Sequence, residues 1–121
     1  MDNAPLLEDV LNEHLELSDY GIGLENLTVI FIAVQPTNTL HEEVTRYSRH
    51  KKELYIQKKL PFDLVSQYDK RQVLQLMAIT YLEMLEDLDD LNVPNFDFVQ
   101  LRADVQQLFE AQGWLVKSPL L

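Results

Sequence analysis

The chain has 121 residues, 46% hydrophobic and 25% charged, with a formal net charge of −10 and no cysteine; this length fits one domain with a real core and leaves little for a second. No apolar run approaches the ~20 residues that cross a bilayer, and the acid-led start "MDNAPLLEDV" lacks the positive charge and apolar run of a secretory leader. Without cysteine there are no disulfides, thiolate metal sites or cysteine nucleophiles, so the expectation is a single acidic domain, residues 1–121, cytoplasmic and outside the membrane.

From Pro5, the residues Leu6, Leu7, Val10, Leu11, His14 and Leu15 recur at helical spacing while Glu8, Asp9, Glu13 and Glu16 point elsewhere, which predicts an amphipathic helix with an acidic back. "DYGIG" breaks it, because Gly21 and Gly23 can take backbone angles other residues avoid. "NLTVIFIAV", residues 26–34, is β-branched, aromatic and apolar at both parities, and predicts a strand covered on both faces or central in a sheet. Residues 42–48 and 53–60 then predict the arms of a hairpin around "RHKK", with Leu54, Ile56 and Leu60 on one face and Tyr55, Gln57 and Lys59 on the other. Lys58 falls on the apolar parity, so either it snorkels at the sheet margin or the strand bends near its end.

Pro61 has no amide hydrogen and stops the ladder. In "DKRQ", Asp69 and Gln72 predict a glutamine capping box, after which Val73, Leu74, Met77, Ala78, Tyr81, Leu82, Leu85 and Leu88 trace a helical stripe that ends before "NVP". A last helix is predicted from "DFVQ", with Asp97 and Gln100 again three apart, through Leu101, Val105, Leu108 and Phe109 to Gly113, and Trp114, Leu115 and Val116 are expected to fold back onto the core. Consecutive strands flanked by helices predict an α+β fold: an antiparallel β-meander of about three or four strands with helices packed on one face.

No catalytic, cofactor or metal constellation emerges. His14, His41 and His50 have no partner at metal or triad spacing, and "HEEV" lacks the second histidine of HExxH. Gly21 and Gly23 form a GxG without the preceding strand or later glycine of a phosphate cradle. "EDLDDLN" invites a calcium reading, but counting from Asp87 the required glycine and glutamate are Asn92 and Phe98. With twenty acids in the chain some carboxylate pair is inevitable, so glycoside hydrolysis gains no weight. The expectation is a non-enzymatic protein without cofactor or metal.

The charge is segregated. Residues 1–45 hold nine acids and neither Lys nor Arg; residues 46–71 hold eight cations against Glu53, Asp63 and Asp69; the remainder holds Arg102 and Lys117 against eight acids. Tyr47, Lys51, Tyr55 and Lys59 imitate an aromatic and basic nucleic-acid surface, but the acidic whole disfavours a polyanion and lysines often guard sheet margins. Glu83, Glu86, Asp87, Asp89 and Asp90 gather in the last turns of a helix, where acids oppose the partial negative charge of free carbonyls. They make either a solvated face or a docking patch for a basic protein. As a candidate surface they come first, with Glu8, Asp9, Glu13 and Glu16 second.

The succession "VIFIAVQ", "EEVTRYSRHKKELYIQKKLPFDLV" and "DKRQVLQLMAITYLEMLEDL" resembles the immunity protein 44 family of bacterial polymorphic toxin systems. The positions that carry the likeness are Tyr47, Lys52, Leu54, Ile56, Leu60, Phe62 and Val65, then Leu74, Ala78 and Leu82, over about residues 29–88. The resemblance implies a small cytosolic protein that binds and neutralises a cognate toxin stoichiometrically. Many such toxins are nucleases with basic clefts, so the expected partner carries a basic surface; the oligomeric state is left open. The competing readings are a regulatory or adaptor module for another protein and a nucleic-acid binder acting through the hairpin from Tyr47 to Lys59.

Overall fold

The structure, a computed structural model, describes residues 4–35, 43–88, 91 and 93–115. Helix α1 (Ala4–His14) leads through a 3-10 turn at Leu17–Tyr20 into strand β1 (Asn26–Val34), and strands β2 (Val44–Ser48) and β3 (Glu53–Pro61) follow as a hairpin. A short helix α2 (Phe62–Val65), the long helix α3 (Lys70–Leu88) and helix α4 (Phe98–Ala111) complete the order. The α+β expectation holds, and no helix among the described residues is long and apolar enough to cross a membrane.

The strand directions differ from a simple meander. The sheet order is β1-β3-β2, with β2 antiparallel to β3 and β1 parallel to it, in register from Asn26 opposite Glu53 to Val34 opposite Pro61. The four-residue turn Arg49–Lys52, closed by Lys52 at φ 55°, forces an antiparallel hairpin, and β1 takes the other side of β3, where Leu27 stands opposite Leu54 and Val29 opposite Ile56 on the inner face. Strand β3 is therefore central and β1 is an edge, the reverse of the central position its apolar sequence suggested.

The inner face of the sheet carries Leu54, Ile56 and Leu60 from β3 and Val29 from β1, all buried, with Leu27, Phe31 and Tyr47 packed against them. The opposite face shows Ile30, Lys59 and Arg46 to solvent, as expected for helices on one side only. Helix α3 buries Val73, Leu74, Met77, Ala78, Tyr81, Leu82, Leu85 and Leu88 and adds Met84 to the stripe. Its start is the predicted capping box: the Gln72 amide donates to Asp69 Oδ1 at 2.8 Å, and the Asp69 amide donates to Gln72 Oε1 at 3.0 Å.

Helix α4 packs on α3, with the Phe109 ring edge-on to Tyr81 at 5.9 Å. Gly113, at φ 77°, ends it: the Gly113 amide reaches Glu110 O and the Trp114 amide reaches Phe109 O, both at 3.0 Å. This pair of bonds satisfies the last carbonyls and folds Trp114 back until its ring lies 5.6 Å from Phe109, which is fully buried. Full burial of a ring that size contributes about 2–3 kcal/mol.

The other fixed point is a backbone-to-backbone contact. The Asp97 amide donates to Tyr20 O at 2.8 Å and the Gly23 amide to Asn95 O at 3.2 Å, flanking a bridge between Gly21 and Phe96. A β-carbon on Gly23 would stand 1.6 Å from Pro94 O, and one on Gly21 would stand 1.9 Å from Asn95 O. The glycines are needed for this approach and not for ending α1, which stops at His14; Gly21 instead follows the 3-10 turn. Because Tyr20 uses the Asp97 amide, Gln100 does not reach back to it; the Asp97 cap is one-sided, and Gln100 Nε2 turns to Asp104.

Candidate partner-binding surfaces

Helix α1 turns Leu7 and Leu11 into the core and leaves Asp9 and Glu13 exposed, and Glu16, in extended backbone between α1 and the 3-10 turn, is exposed as well. Glu8 does not share their direction. One residue beyond the buried Leu7, it lies half-buried on the rim of a groove lined also by Tyr81. Burial pushes the Tyr81 phenol well above the usual tyrosine range, and the Glu8 carboxylate adds to that shift. The second candidate cluster thus divides into an exposed face of three acids and a single rim carboxylate.

On α3, Glu83, Glu86 and Asp87 are exposed at spacings of three and four residues, which puts them on one side of the helix, while Met84, Leu85 and Leu88 point inward. Asp89 and Asp90 lie outside the described residues. Glu86 reaches Arg102 of α4 at 3.7 Å. The Arg102 guanidinium also approaches Gln106 at 3.5 Å, yet its Nε is buried without a hydrogen-bond partner.

The basic hairpin is arranged differently from the surface its sequence imitates. Tyr47 stands opposite Leu54 and Arg46 opposite Tyr55, so the two tyrosines face opposite sides of the sheet. Tyr47 is half-buried and donates to Gly23 O at 2.9 Å; the Tyr55 hydroxyl accepts from Gln57 Nε2 at 2.6 Å. Lys58 reaches Glu43 at 3.2 Å, which settles its place on the apolar parity, and the Lys59 amide donates to the other Glu43 oxygen at 3.0 Å. Partial burial opposes charge on Glu43, but the Lys59 amide and the two ammonium groups prevail and hold its carboxyl below the usual glutamate range. Lys52 approaches Glu25 at 3.9 Å. Lys58 and Lys59 belong to the central strand β3, so they guard no margin. Parallel addition of β1 has placed them in the middle.

The feature that sequence reasoning missed is the groove beside β1. It opens between α1 and β1 over a floor of Tyr81, Leu101 and Val105, has a volume of about 160 Å³, and is walled by Leu11, Leu15, Leu27 and Phe31 with Glu8 and Asn12 on its rim. The available signal was β1 itself, nine residues without a charge, Pro or Gly. Among the described residues, no group of three or more His, Asp or Glu is placed to hold a metal ion.

A family model described as immunity protein 44 matches residues 2–111 of the chain, extending the likeness through α1 and α4. No curated protein and no solved structure matches it.

Proposed function

The chain belongs to the immunity protein 44 family, and from that membership, which carries a general immunity role, we propose that it binds and neutralises a cognate bacterial polymorphic toxin in the cytoplasm by stoichiometric, non-enzymatic contact. Family membership is the observation that carries the reading. The exposure of Glu83, Glu86 and Asp87 supports the choice of surface, because these acids stand in the last turns of α3 where the helix field opposes them. A face kept acidic there suits a basic partner, with Asp9 and Glu13 of α1 and Glu16 just beyond it as the second contact. Opposite charge across the contact speeds encounter and makes binding sensitive to salt.

The test is titration calorimetry of the purified chain with the purified toxin domain encoded beside it. The expected result is saturation at one to one, with affinity falling as salt rises. Changing Glu83 and Asp87 to Lys should weaken binding about tenfold at low salt. Absence of binding overturns the reading, and unchanged affinity in the reversed variant at every salt concentration removes this surface.

A further inference from the structure

We infer that the free edge of β1 receives an extended segment of the toxin, which adds to the sheet as a fourth strand and places one apolar side chain in the groove under α1; this rests on the toxin-binding reading above. The first observation is backbone direction. The Asn26 amide points toward β3 and donates at 3.2 Å to Lys52 O, just ahead of that strand, an oxygen it shares with the Glu25 amide at 2.8 Å. Strand residues alternate the side to which their N–H and C=O point, so Leu27, Val29, Phe31 and Ala33 direct both groups away from β3. No strand among the described residues pairs with that edge.

The second observation is the lack of protection. Edge strands are ordinarily blunted by lysine, proline, a bulge or shortness, and "NLTVIFIAV" has nine residues and none of these residue types. An edge that offers a row of donors and acceptors selects a partner in β conformation, recognised through its main chain and alternate side chains. The groove beside the edge, at about 160 Å³, is close to the ~150 Å³ that holds a benzene ring, so it admits one Leu- or Phe-sized side chain.

The third observation is charge. Glu8 is on the groove rim, and the groove continues past Leu15 and Leu17 toward Glu16 and the ion pair of Glu25 with Lys52 just before β1. An incoming strand flanked by Lys or Arg is complementary to Glu8 and Glu16. A second copy of the chain is not, because two molecules of net charge −10 would bring α1 acids together.

The experiment is amide hydrogen exchange, read by NMR, on the full chain alone and with the toxin domain encoded beside it. Calorimetry of Ala33→Pro and Ala33→Val accompanies it; Ala33 is exposed and its amide faces the free edge, so proline there removes a donor without breaking the ladder to β3. The expected result is that Leu27, Val29, Phe31 and Ala33 exchange fast in the free chain and slow at least about tenfold in the complex, with Ala33→Pro binding about tenfold more weakly and Ala33→Val as wild type. Binding with unchanged exchange at these four amides and an unaffected proline variant overturns the inference and leaves toxin binding standing. Failure of the wild-type chain to bind overturns both. A free chain that is already dimeric with these amides protected overturns it in favour of self-pairing.

Discussion

Tyr20 donates its hydroxyl to Asp104 Oδ2 at 2.7 Å, fastening the turn after α1 to a helix 84 residues further along the chain. The other Asp104 oxygen accepts from Gln100 at 2.9 Å. Removing the hydroxyl in Tyr20→Phe leaves half of that carboxylate without its donor, and a hydrogen bond to a charged acceptor contributes about 2 kcal/mol. Urea unfolding followed by the fluorescence of Trp114, the only tryptophan, should show a lower midpoint with an unchanged slope.

The same phenol and that of Tyr81 set an alkaline limit. Burial is the first cause of both upward shifts; Asp104 adds to one and Glu8 to the other. A folded-state value raised above the unfolded one means that the contribution is complete below about pH 10, where a free tyrosine titrates, and is lost as pH rises beyond it. Stability should therefore fall by about 1.4 kcal/mol per pH unit for each tyrosine above pH 10. In Tyr81→Phe this slope, measured by urea midpoints between pH 9 and 11, should be about half as steep.

At the acid end the sign reverses for Glu43. Its carboxyl titrates below the usual glutamate range in the fold, so its contribution is present above about pH 4.3 and disappears as pH falls through the folded-state value. Glu43→Gln should flatten part of the stability loss seen between pH 5 and 3 while leaving the hairpin formed.

Gly23→Ala should cost about 4 kcal/mol or more, because the backbone of Pro94 cannot yield as a side-chain tip would. Gly113→Ala should cost only about 1 kcal/mol: the conformation at φ 77° is strained for alanine, but the nearest neighbour is 3.9 Å away. Midpoints in urea separate the two, and similar values for both would show that the backbone of Pro94 yields to the added methyl group.

Arg102→Met should change stability by no more than about 1 kcal/mol. The wild-type side chain already leaves a buried Nε without a partner, so an apolar replacement removes a cost along with the contact to Glu86. The variant should also bind the toxin at least as fast at low salt, since Glu86 is then uncompensated.

The sequence announced local features more fully than partners. Asp69 and Gln72 predicted their own reciprocal bonds because a capping box involves only neighbours in sequence, and Gly113 with Trp114 marked the end of α4 for the same reason. Residues 26–34 marked β1 to its last residue. Its neighbour and direction were not legible, because alternation specifies which face is buried and says nothing about which strand lies alongside. Glu8 shows the same limit at the site: its number placed it among the acids of α1, while its proximity to Tyr81 comes from how α1 sits on α3.

The clasp between Tyr20–Gly23 and Asn95–Asp97 also fixes when the protein can be finished. A ribosome adds roughly 5 to 20 residues per second, so the 77 residues from Tyr20 to Asp97 separate the two halves of that clasp by roughly 4 to 15 s of synthesis. Strand β1 waits as well, since its only ladder partner among the described residues is β3 and not the strand made next. A nascent chain halted before α4 can pair β1 with β3 but lacks the clasp that fixes the turn after α1, and whatever protection the protein confers waits for that closure.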